Sequence, residues 1–261
     1  SPALTFAPLA LPSSGSAPDG SLWAMMRRRY EAYKSAVVRP FFRDHFSRLD
    51  RQIVLVDALA ALNAGPQAVR DLEAALAGIL DCFRVGRTTF FSSLLRPRID
   101  RILFAATKAD HLHRTSHDRL EAILKSMVEQ AARRAEFAGA TVDVVALAAV
   151  RATREAQVRR GRDTLPAILG VPEKGERAGF ETFDGEAEVA TFPGDLPADI
   201  AAFLKDGASF RGLTSTTPDE ADFRFLRFRP PPLVASSGEE PALPHIRLDR
   251  ALQFLIGDRL L

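Results

Sequence analysis

Residues 99–110 read Ile-Asp-Arg-Ile-Leu-Phe-Ala-Ala-Thr-Lys-Ala-Asp, an apolar run that stops at Thr107-Lys108-Ala109-Asp110. A short apolar run bounded by polar residues is typical of a buried strand in a parallel sheet. Polar residues that follow such a strand lie at its carboxyl end, where open α/β sheets bind their ligands. This stretch therefore predicts an α/β fold with a ligand site at residues 107–110.

The Thr-Lys-x-Asp pattern suits the recognition of guanine. The carboxylate of Asp110 can accept hydrogen bonds from both N1–H and the 2-amino group of guanine, while the stem of Lys108 lies along the base. Adenine has no such pair of donors on that edge, so Asp110 is predicted to select guanine. An ordinary strand-to-helix loop with both side chains in solvent is the alternative, because short motifs also occur by chance.

Two further apolar runs flank this one: Gln52–Asp57 upstream, which ends in an acidic residue, and Val142–Ala149 downstream, which is followed by Val150 and Arg151. Asp57 stands where a Walker B carboxylate holds Mg²⁺ through water and faces the phosphates, although it also suits a cap for the following turn. Val150 and Arg151 follow the downstream run. In GTPases, the loop at this place offers a backbone N–H to guanine O6, and the Arg151 guanidinium could stack on the base. The strand tips together predict a nucleotide site made by Asp57, Thr107, Lys108, Asp110, Val150 and Arg151.

Amphipathic segments of helical length lie between these strands, at Gln67–Phe83 and Ser116–Phe137. The alternation of strands and helices from about residue 52 to about residue 153 predicts a right-handed parallel α/β sheet. The basic and aromatic gap at 84–98 is predicted to be an exposed loop. The fold class predicted for this central part of the chain is therefore α/β, with a parallel sheet similar to that of a P-loop NTPase.

The sequence contains no Gly-x-x-x-x-Gly-Lys-[Ser/Thr] motif, whose backbone N–H groups and lysine bind phosphates. Residues 1–50 hold no strand that suits the start of such a motif. We therefore expect the chain to be the C-terminal part of a longer protein, with its P-loop upstream of Ser1 and its GTPase-like domain incomplete. A relative that naturally lacks a P-loop is the alternative.

Several longer strings resemble the YcjX-like family of predicted P-loop GTPases. The most distinctive are Leu-Phe-Ala-Ala-Thr-Lys-Ala-Asp-His at 103–111 and Leu-Pro-His-Ile-Arg-Leu-Asp at 243–249, and the likeness extends from Leu22 onward. The resemblance implies binding of GTP or GDP with Mg²⁺, a P-loop upstream, and an association with stress response. It further implies a base-recognition loop at Thr107, Lys108 and Asp110, a metal-side carboxylate at Asp57 and a second base loop at Val150-Arg151.

Departures from a standard GTPase concern hydrolysis more than binding. Ala60 stands where an Asp-x-x-Gly pattern needs the glycine that senses the γ-phosphate. Thr107 replaces the usual asparagine, and Ala61-Leu62-Asn63 stands at the usual place of the glutamine that orients water. We therefore expect nucleotide binding with slow hydrolysis that depends on Asp57 as the catalytic, metal-side group.

The outer parts of the chain predict appendages to the α/β domain at 51–155. Residues 1–20 suggest a disordered linker. Residues 21–50 suggest a basic, aromatic helical arm, broken near Pro40, that packs through its aromatic side or docks on a membrane or a partner. Residues 156–243 suggest a small β-rich subdomain with strands at Thr164–Val171 and Phe223–Phe228. Residues 244–261 suggest a helix, at about Ile246–Leu260, that packs back onto the sheet.

Composition limits the function classes. The net charge of +2 does not favour nucleic acid as a partner, and the single cysteine fits a reducing cytoplasm. No apolar run is long enough to span a bilayer, so we expect a cytoplasmic protein. A peripheral location at the inner membrane, through a membrane-associated protein partner, is left open.

The histidines His111, His113 and His117 suggest a solvated loop rather than a metal site. The competing functions are a non-catalytic interaction module on a degenerate NTPase fold and an ATPase; the sequence leaves the oligomeric state open.

Overall fold

The computed structural model describes residues 5–10, 17–45, 49–82, 99–178, 181–193, 195–205, 225–231 and 243–260. The chain divides into two compact units, one made of residues 1–50 and 85–98 and the other of residues 51–84 and 99–261. The predicted loop at 84–98 lies outside the described residues. Among the described residues, no helix has the length and apolar character needed to cross a membrane.

The first unit contains a continuous helical arm. Helix α1 (Leu22–Tyr33) passes through a π-helical turn (Lys34–Val38) into helix α2 (Arg39–Asp44). The predicted break near Pro40 is wrong. Proline lacks the N–H that an α-helix needs, and its ring clashes with the carbonyl four residues earlier. The wider turn, in which Arg39 N–H donates to the Lys34 carbonyl, lets the helix continue through the proline.

The arm carries contacts along its aromatic residues. The ring of Phe6 lies 5.0 Å from that of Tyr30 and 5.4 Å from that of Tyr33. The guanidinium of Arg27 lies 5.5 Å from the centre of the Trp23 ring. No residue of α1 or α2 is fully buried. The arm therefore gains its order from side-chain contacts along its surface rather than from a core of its own.

The second unit is built on a parallel sheet, which confirms the predicted α/β class. Strands β1 (Arg51–Val56), β2 (Arg101–Ala106) and β3 (Thr141–Ala146) pair in the order β1-β2-β3, and both pairs are parallel. Val56 lies opposite Ala106, which lies opposite Ala146. The three strands therefore end level with one another, and the residues that follow them meet at one edge.

Three helices cover one face of this sheet: α3 (Ala58–Ala64), α4 (Pro66–Cys82) and α5 (His117–Phe137). The core between them contains Val54, Val56, Phe104, Leu59, Leu62, Val69, Leu76, Leu120 and Leu124. Helix α3 was not predicted, because its seven residues are too few to show a clear helical period. Asp57 starts it by accepting a hydrogen bond from Ala60 N–H, and Gly65, at φ 96°, ends it.

The region after β3 is antiparallel. Strands β4 (Arg154–Arg160), β5 (Asp163–Gly170) and β8 (Val189–Thr191) pair in the order β4-β5-β8, beside the short pair β6 (Arg177–Ala178) and β7 (Glu181–Thr182). Helix α6 (Ile200–Lys205) follows. Strand β5 coincides with the segment predicted at Thr164–Val171, whereas β4 was missed because its sequence is dominated by charged residues.

The predicted strand at Phe223–Phe228 is wrong over its described part. Residues 225–227 have no regular structure, and only Phe228 forms an isolated β-bridge, with Pro172. The alternation of Phe with Leu and Arg instead serves packing, because Phe225, Leu226 and Phe228 are buried in two different clusters. Residues 223 and 224 lie outside the described residues.

Helix α7 (Leu248–Ile256) packs on the opposite face of the sheet, where Ala251 and Leu255 contact Leu103, Ala105 and Val145. It begins two residues later than predicted because Ile246 forms a β-bridge with Ala148 and Arg247 has a left-handed backbone (φ 55°).

Just after the helix, Asp258 accepts two hydrogen bonds from the Arg51 guanidinium, one of them 2.6 Å long. These bonds hold the pKa of Asp258 at about 2, and they tie the C-terminus to the start of β1.

Candidate functional site

The loop that follows β2 is held between the ends of β1 and β3. Thr107 N–H donates to the Val56 carbonyl (2.9 Å), and the Thr107 hydroxyl donates to the same oxygen (3.3 Å). Ala109 N–H donates to the Leu147 carbonyl (3.1 Å). These bonds continue the sheet beyond its regular strands. The Thr-Lys-x-Asp stretch is therefore a fixed loop at the carboxyl edge of the sheet.

Asp110 is buried in this loop, with 4 % of its surface exposed. Its Oδ2 accepts a hydrogen bond from Ala152 N–H (2.8 Å), and its main-chain carbonyl accepts one from the buried Thr153 hydroxyl. Within the described ranges, the amide of Ala152 is the donor that reaches this carboxylate. A buried carboxylate usually accepts several hydrogen bonds. Since one donor is described for this carboxylate, Asp110 has lone pairs left to accept hydrogen bonds from a ligand.

Lys108 points to the neighbouring strand. Its backbone is left-handed (φ 61°), and its Nζ lies 2.6 Å from Oδ2 of Asp57. The other oxygen of Asp57 accepts from Ala60 N–H (3.0 Å). Both side chains are partly exposed, at 43 % for Lys108 and 35 % for Asp57. The structure thus places Asp57 and Lys108 in direct contact, and each oxygen of Asp57 has a partner.

The second predicted base loop is shaped by the C-terminal part of the chain. Arg151 N–H donates to the Pro244 carbonyl (2.7 Å), and Ala148 exchanges two backbone hydrogen bonds with Ile246. The Arg151 Nε donates to the Thr153 carbonyl (2.8 Å), so its guanidinium is directed along its own loop. Val150 is exposed. The roles predicted for Val150 and Arg151 toward a base stay predictions.

The segment that pairs with this loop is anchored through Arg247. Its guanidinium donates to Oε1 of Glu121 and to Oδ1 of Asp118 (3.0 Å). The same Glu121 oxygen accepts from Ala146 N–H (2.9 Å), at the end of β3. The sequence contains no signal for a role of Glu121. For Arg247, the Leu-Pro-His-Ile-Arg-Leu-Asp string at 243–249 leaves open a place near a site or a role at the start of the helix.

The predicted solvated histidine loop is wrong for two of its three members. His111 and His117 are 7 % and 5 % exposed. The His117 Nε2 lies 2.9 Å from the Ala109 carbonyl oxygen, and the His111 ring lies edge-on to Phe228, with 5.3 Å between ring centres. His117 thus contacts the main chain of the loop at 107–110, and His111 packs against Phe228. No group of three or more His, Cys, Asp or Glu suited to a metal ion occurs in the described part of the chain.

These two histidines make stability depend on pH. Burial lowers the pKa of both His111 and His117 below 6.5. The unfolded chain therefore binds more protons than the folded chain at acid pH, and the free energy of unfolding falls as pH drops below about 6.5. We expect His117→Gln, whose amide can donate to Ala109 without titrating, to lose less stability than the parent between about pH 7.5 and about pH 5.5. Urea unfolding followed by circular dichroism measures this; an equal loss in both proteins would contradict it.

The structure brings most of the predicted site together. Asp57 touches Lys108, and Asp110 touches the loop that contains Arg151. Ala152 and Thr153 are the neighbours that sequence reasoning missed, because a backbone amide and a hydroxyl carry no motif. The arrangement is an edge of the sheet at which one buried carboxylate, one lysine and two loops lie close together.

Comparisons with known proteins agree with the resemblance drawn from the sequence. Residues 1–260 match the model of the YcjX-like family, DUF463. The chain is 39 % identical over 236 residues to "Ras-like GTPase YcjX" of Escherichia coli (strain K12), a match that covers 90 % of this chain and 45 % of that protein. It is 32 % identical over 243 residues to the "Ras-like GTPase YcjX" of Shewanella oneidensis, covering 92 % of this chain and 45 % of that protein. The chain thus spans about half the length of these curated relatives.

Proposed function

The chain belongs to the YcjX-like family, and from that membership we propose that it forms the base-recognition part of a guanine-nucleotide site. The relatives bear the name GTPase, which supports a guanine nucleotide as the ligand. The observation that carries the proposal is the buried carboxylate of Asp110, supported by Ala152 N–H at the carboxyl edge of a parallel sheet.

Guanine can supply the hydrogen-bond donors that the buried carboxylate of Asp110 lacks. N1–H and the 2-amino group are two donors on one edge, and Asp110 is an acceptor with lone pairs to spare. The stem of Lys108 covers one face of the base, and Val150 and Arg151 border the base on its O6 side. A carboxylate that is already desolvated gains more from such bonds than one in water, because it has no solvent donors to give up.

We further propose that phosphate binding depends on sequence outside these 261 residues. The chain has no P-loop motif, and its relatives are about twice as long. Among the described strands, β1 is paired on one side only, with β2. On the face of the sheet where α7 packs against β2 and β3, the β1 side chains Ile53 and Leu55 are 38 % and 62 % exposed. An unpaired strand edge next to an exposed apolar face suits a further strand, which would carry the phosphate-binding loop.

The Mg²⁺ that the family implies does not fit Asp57, the residue predicted to hold it. Asp57, the predicted metal-side carboxylate, uses one oxygen to cap α3 and the other to pair with Lys108. A lysine ammonium at 2.6 Å opposes a divalent cation at the same oxygen. We therefore propose that this chain contributes to nucleotide binding. Slow GTP hydrolysis and a stress-response role are proposals for the longer protein.

The proposal is tested by nucleotide selectivity. We expect the full-length protein that contains this sequence to bind GDP more tightly than ADP by on the order of 10²-fold or more, because the site rejects a base without the donor pair. The 261-residue chain is expected to bind GDP only weakly, since it lacks a phosphate loop. Isothermal titration calorimetry with both nucleotides measures this. Equal binding of GDP and ADP would contradict the proposal, and binding of neither nucleotide would favour a non-catalytic interaction module.

A further inference from the structure

We propose that Asp57 is a positioning residue for guanine recognition, which holds the Lys108 side chain in place, and not a metal ligand. This inference rests on the proposed function and adds a specific role to one of its residues. It arises from the misfit between the surroundings of Asp57 and Mg²⁺, and from two features of Lys108, its backbone conformation and the position of its ammonium group.

The first feature is the backbone of Lys108. Its left-handed conformation (φ 61°) is one that lysine rarely adopts, and among the described residues Arg247 is the only other non-glycine residue with a positive φ. Backbone strain of this kind persists where the surroundings enforce it. Here His111 N–H donates to the Lys108 carbonyl (2.9 Å), and Ala109 N–H donates to Leu147 (3.1 Å). The loop is thus built to turn the Lys108 side chain in one direction.

The second feature is what that direction reaches. The Lys108 Nζ meets Asp57 Oδ2 at 2.6 Å, and Asp57 cannot swing away freely because its Oδ1 caps α3. The lysine stem is therefore stretched between its own strained backbone and a fixed carboxylate. A stem held at both ends presents its methylene groups as a flat apolar surface, which suits one face of a purine ring.

The strand order places Asp57 at the base end of the site. Strand β1 pairs directly with β2, and Thr107 N–H donates to Val56, the residue before Asp57. No strand separates Asp57 from the base loop. The base and the terminal phosphates are at opposite ends of a nucleotide, so a carboxylate in contact with the base loop is remote from the metal that binds the phosphates.

The pair serves orientation more than stability. Both side chains are more than a third exposed, and exposed ion pairs contribute little to folding. A free lysine side chain has many rotamers, however, and a ligand that must immobilise it binds more weakly. Loss of Asp57 is therefore expected to weaken GDP binding about three- to tenfold without a matching loss of stability.

The test uses Asp57→Asn in the full-length protein, with GDP as the probe. Asparagine keeps the helix cap and removes the charge that holds Lys108. We expect Asp57→Asn to weaken GDP binding equally with Mg²⁺ and with EDTA, and to have no further effect when Lys108→Met is also present. Asp71→Asn is the matched control, because the exposed Asp71 accepts a hydrogen bond from Gln67 within α4, and this variant should bind GDP as the parent does.

Three outcomes would overturn the inference. A defect that appears only with Mg²⁺ would make Asp57 a metal-side group, as the family resemblance implies. Unchanged GDP binding would show that the ion pair has no role in recognition. A fall in the unfolding midpoint of Asp57→Asn, absent from Asp71→Asn, would indicate a structural role. If the parent protein itself does not prefer GDP to ADP, the proposed function fails first, which distinguishes the two failures.

Discussion

Asp110→Asn in the full-length protein is expected to lose about 100-fold in GDP affinity, because two charge-assisted hydrogen bonds contribute roughly 3 kcal/mol together. The asparagine carbonyl can still accept from Ala152 N–H, which reaches Oδ2 of Asp110 at 2.8 Å. Its amide group then stands where Oδ1 stood. A donor there faces the 2-amino donor of guanine, so the loss of attraction is accompanied by an unfavourable contact.

The same reasoning predicts which base the variant accepts. Xanthine has a carbonyl in place of the 2-amino group, so it offers an acceptor to the new amide. Xanthosine diphosphate should therefore bind Asp110→Asn better than it binds the parent, while ADP binding stays unchanged. Calorimetric titration with the three nucleotides measures this. A variant that still prefers GDP to ADP would show that Asp110 does not read the base; Asp71→Asn again serves as the control carboxamide.

Phe104→Ala is expected to destabilise the second unit by about 3–5 kcal/mol, the usual effect of removing a large buried side chain. Phe104 lies in the middle of β2 with no exposed surface. It packs in the core cluster that includes Leu59, Leu120 and Leu124. Alanine would leave a cavity between the sheet and helices α3 and α5, and a strand paired on both sides has little freedom to collapse into it.

The measurement must report on the sheet. The single tryptophan, Trp23, and both tyrosines, Tyr30 and Tyr33, lie in the helical arm, so fluorescence would follow the other unit. Hydrogen exchange of the β2 amides, followed by mass spectrometry, reports the sheet directly. In the 261-residue chain, Leu55→Ala on β1 is the matched control, because Leu55 is 62 % exposed and should change stability by less than about 0.5 kcal/mol. Similar effects of the two substitutions would contradict the described packing.

The sequence was sufficient where the signal was local and repeated. Each of the three parallel strands is an apolar run that ends in polar residues, and α4 and α5 are long enough to show a helical period. A run of this kind in an alternating pattern with helices determines a parallel sheet, and parallel pairing brings the strand ends to one edge. The neighbourhood of Asp57, Lys108 and Asp110 follows from that rule alone.

The errors fall where a distant contact outweighs the local pattern. Phe225–Phe228 alternates like a strand, yet its side chains are used to cover His111 and the core. The histidines resemble a solvated loop, yet His117 is buried because the Ala109 carbonyl needs a donor. Pro40 signals a break, yet a π-helical turn accommodates it. In each case the deciding partner is remote in sequence or is a backbone group that has no residue signature.

For this protein, the sequence by itself determined the α/β class and the family, and it predicted a base loop at Thr107, Lys108 and Asp110, because apolar periodicity and a rare string of residues are local properties. Only the tertiary structure decided how those residues are used. It showed that Asp57 faces Lys108, that Ala152 and Thr153 hold Asp110, and that residues 244–246 pair with the second loop. The physical reason is that hydrogen bonds and ion pairs depend on positions in space, which a chain reaches only after its strands have set their order and register.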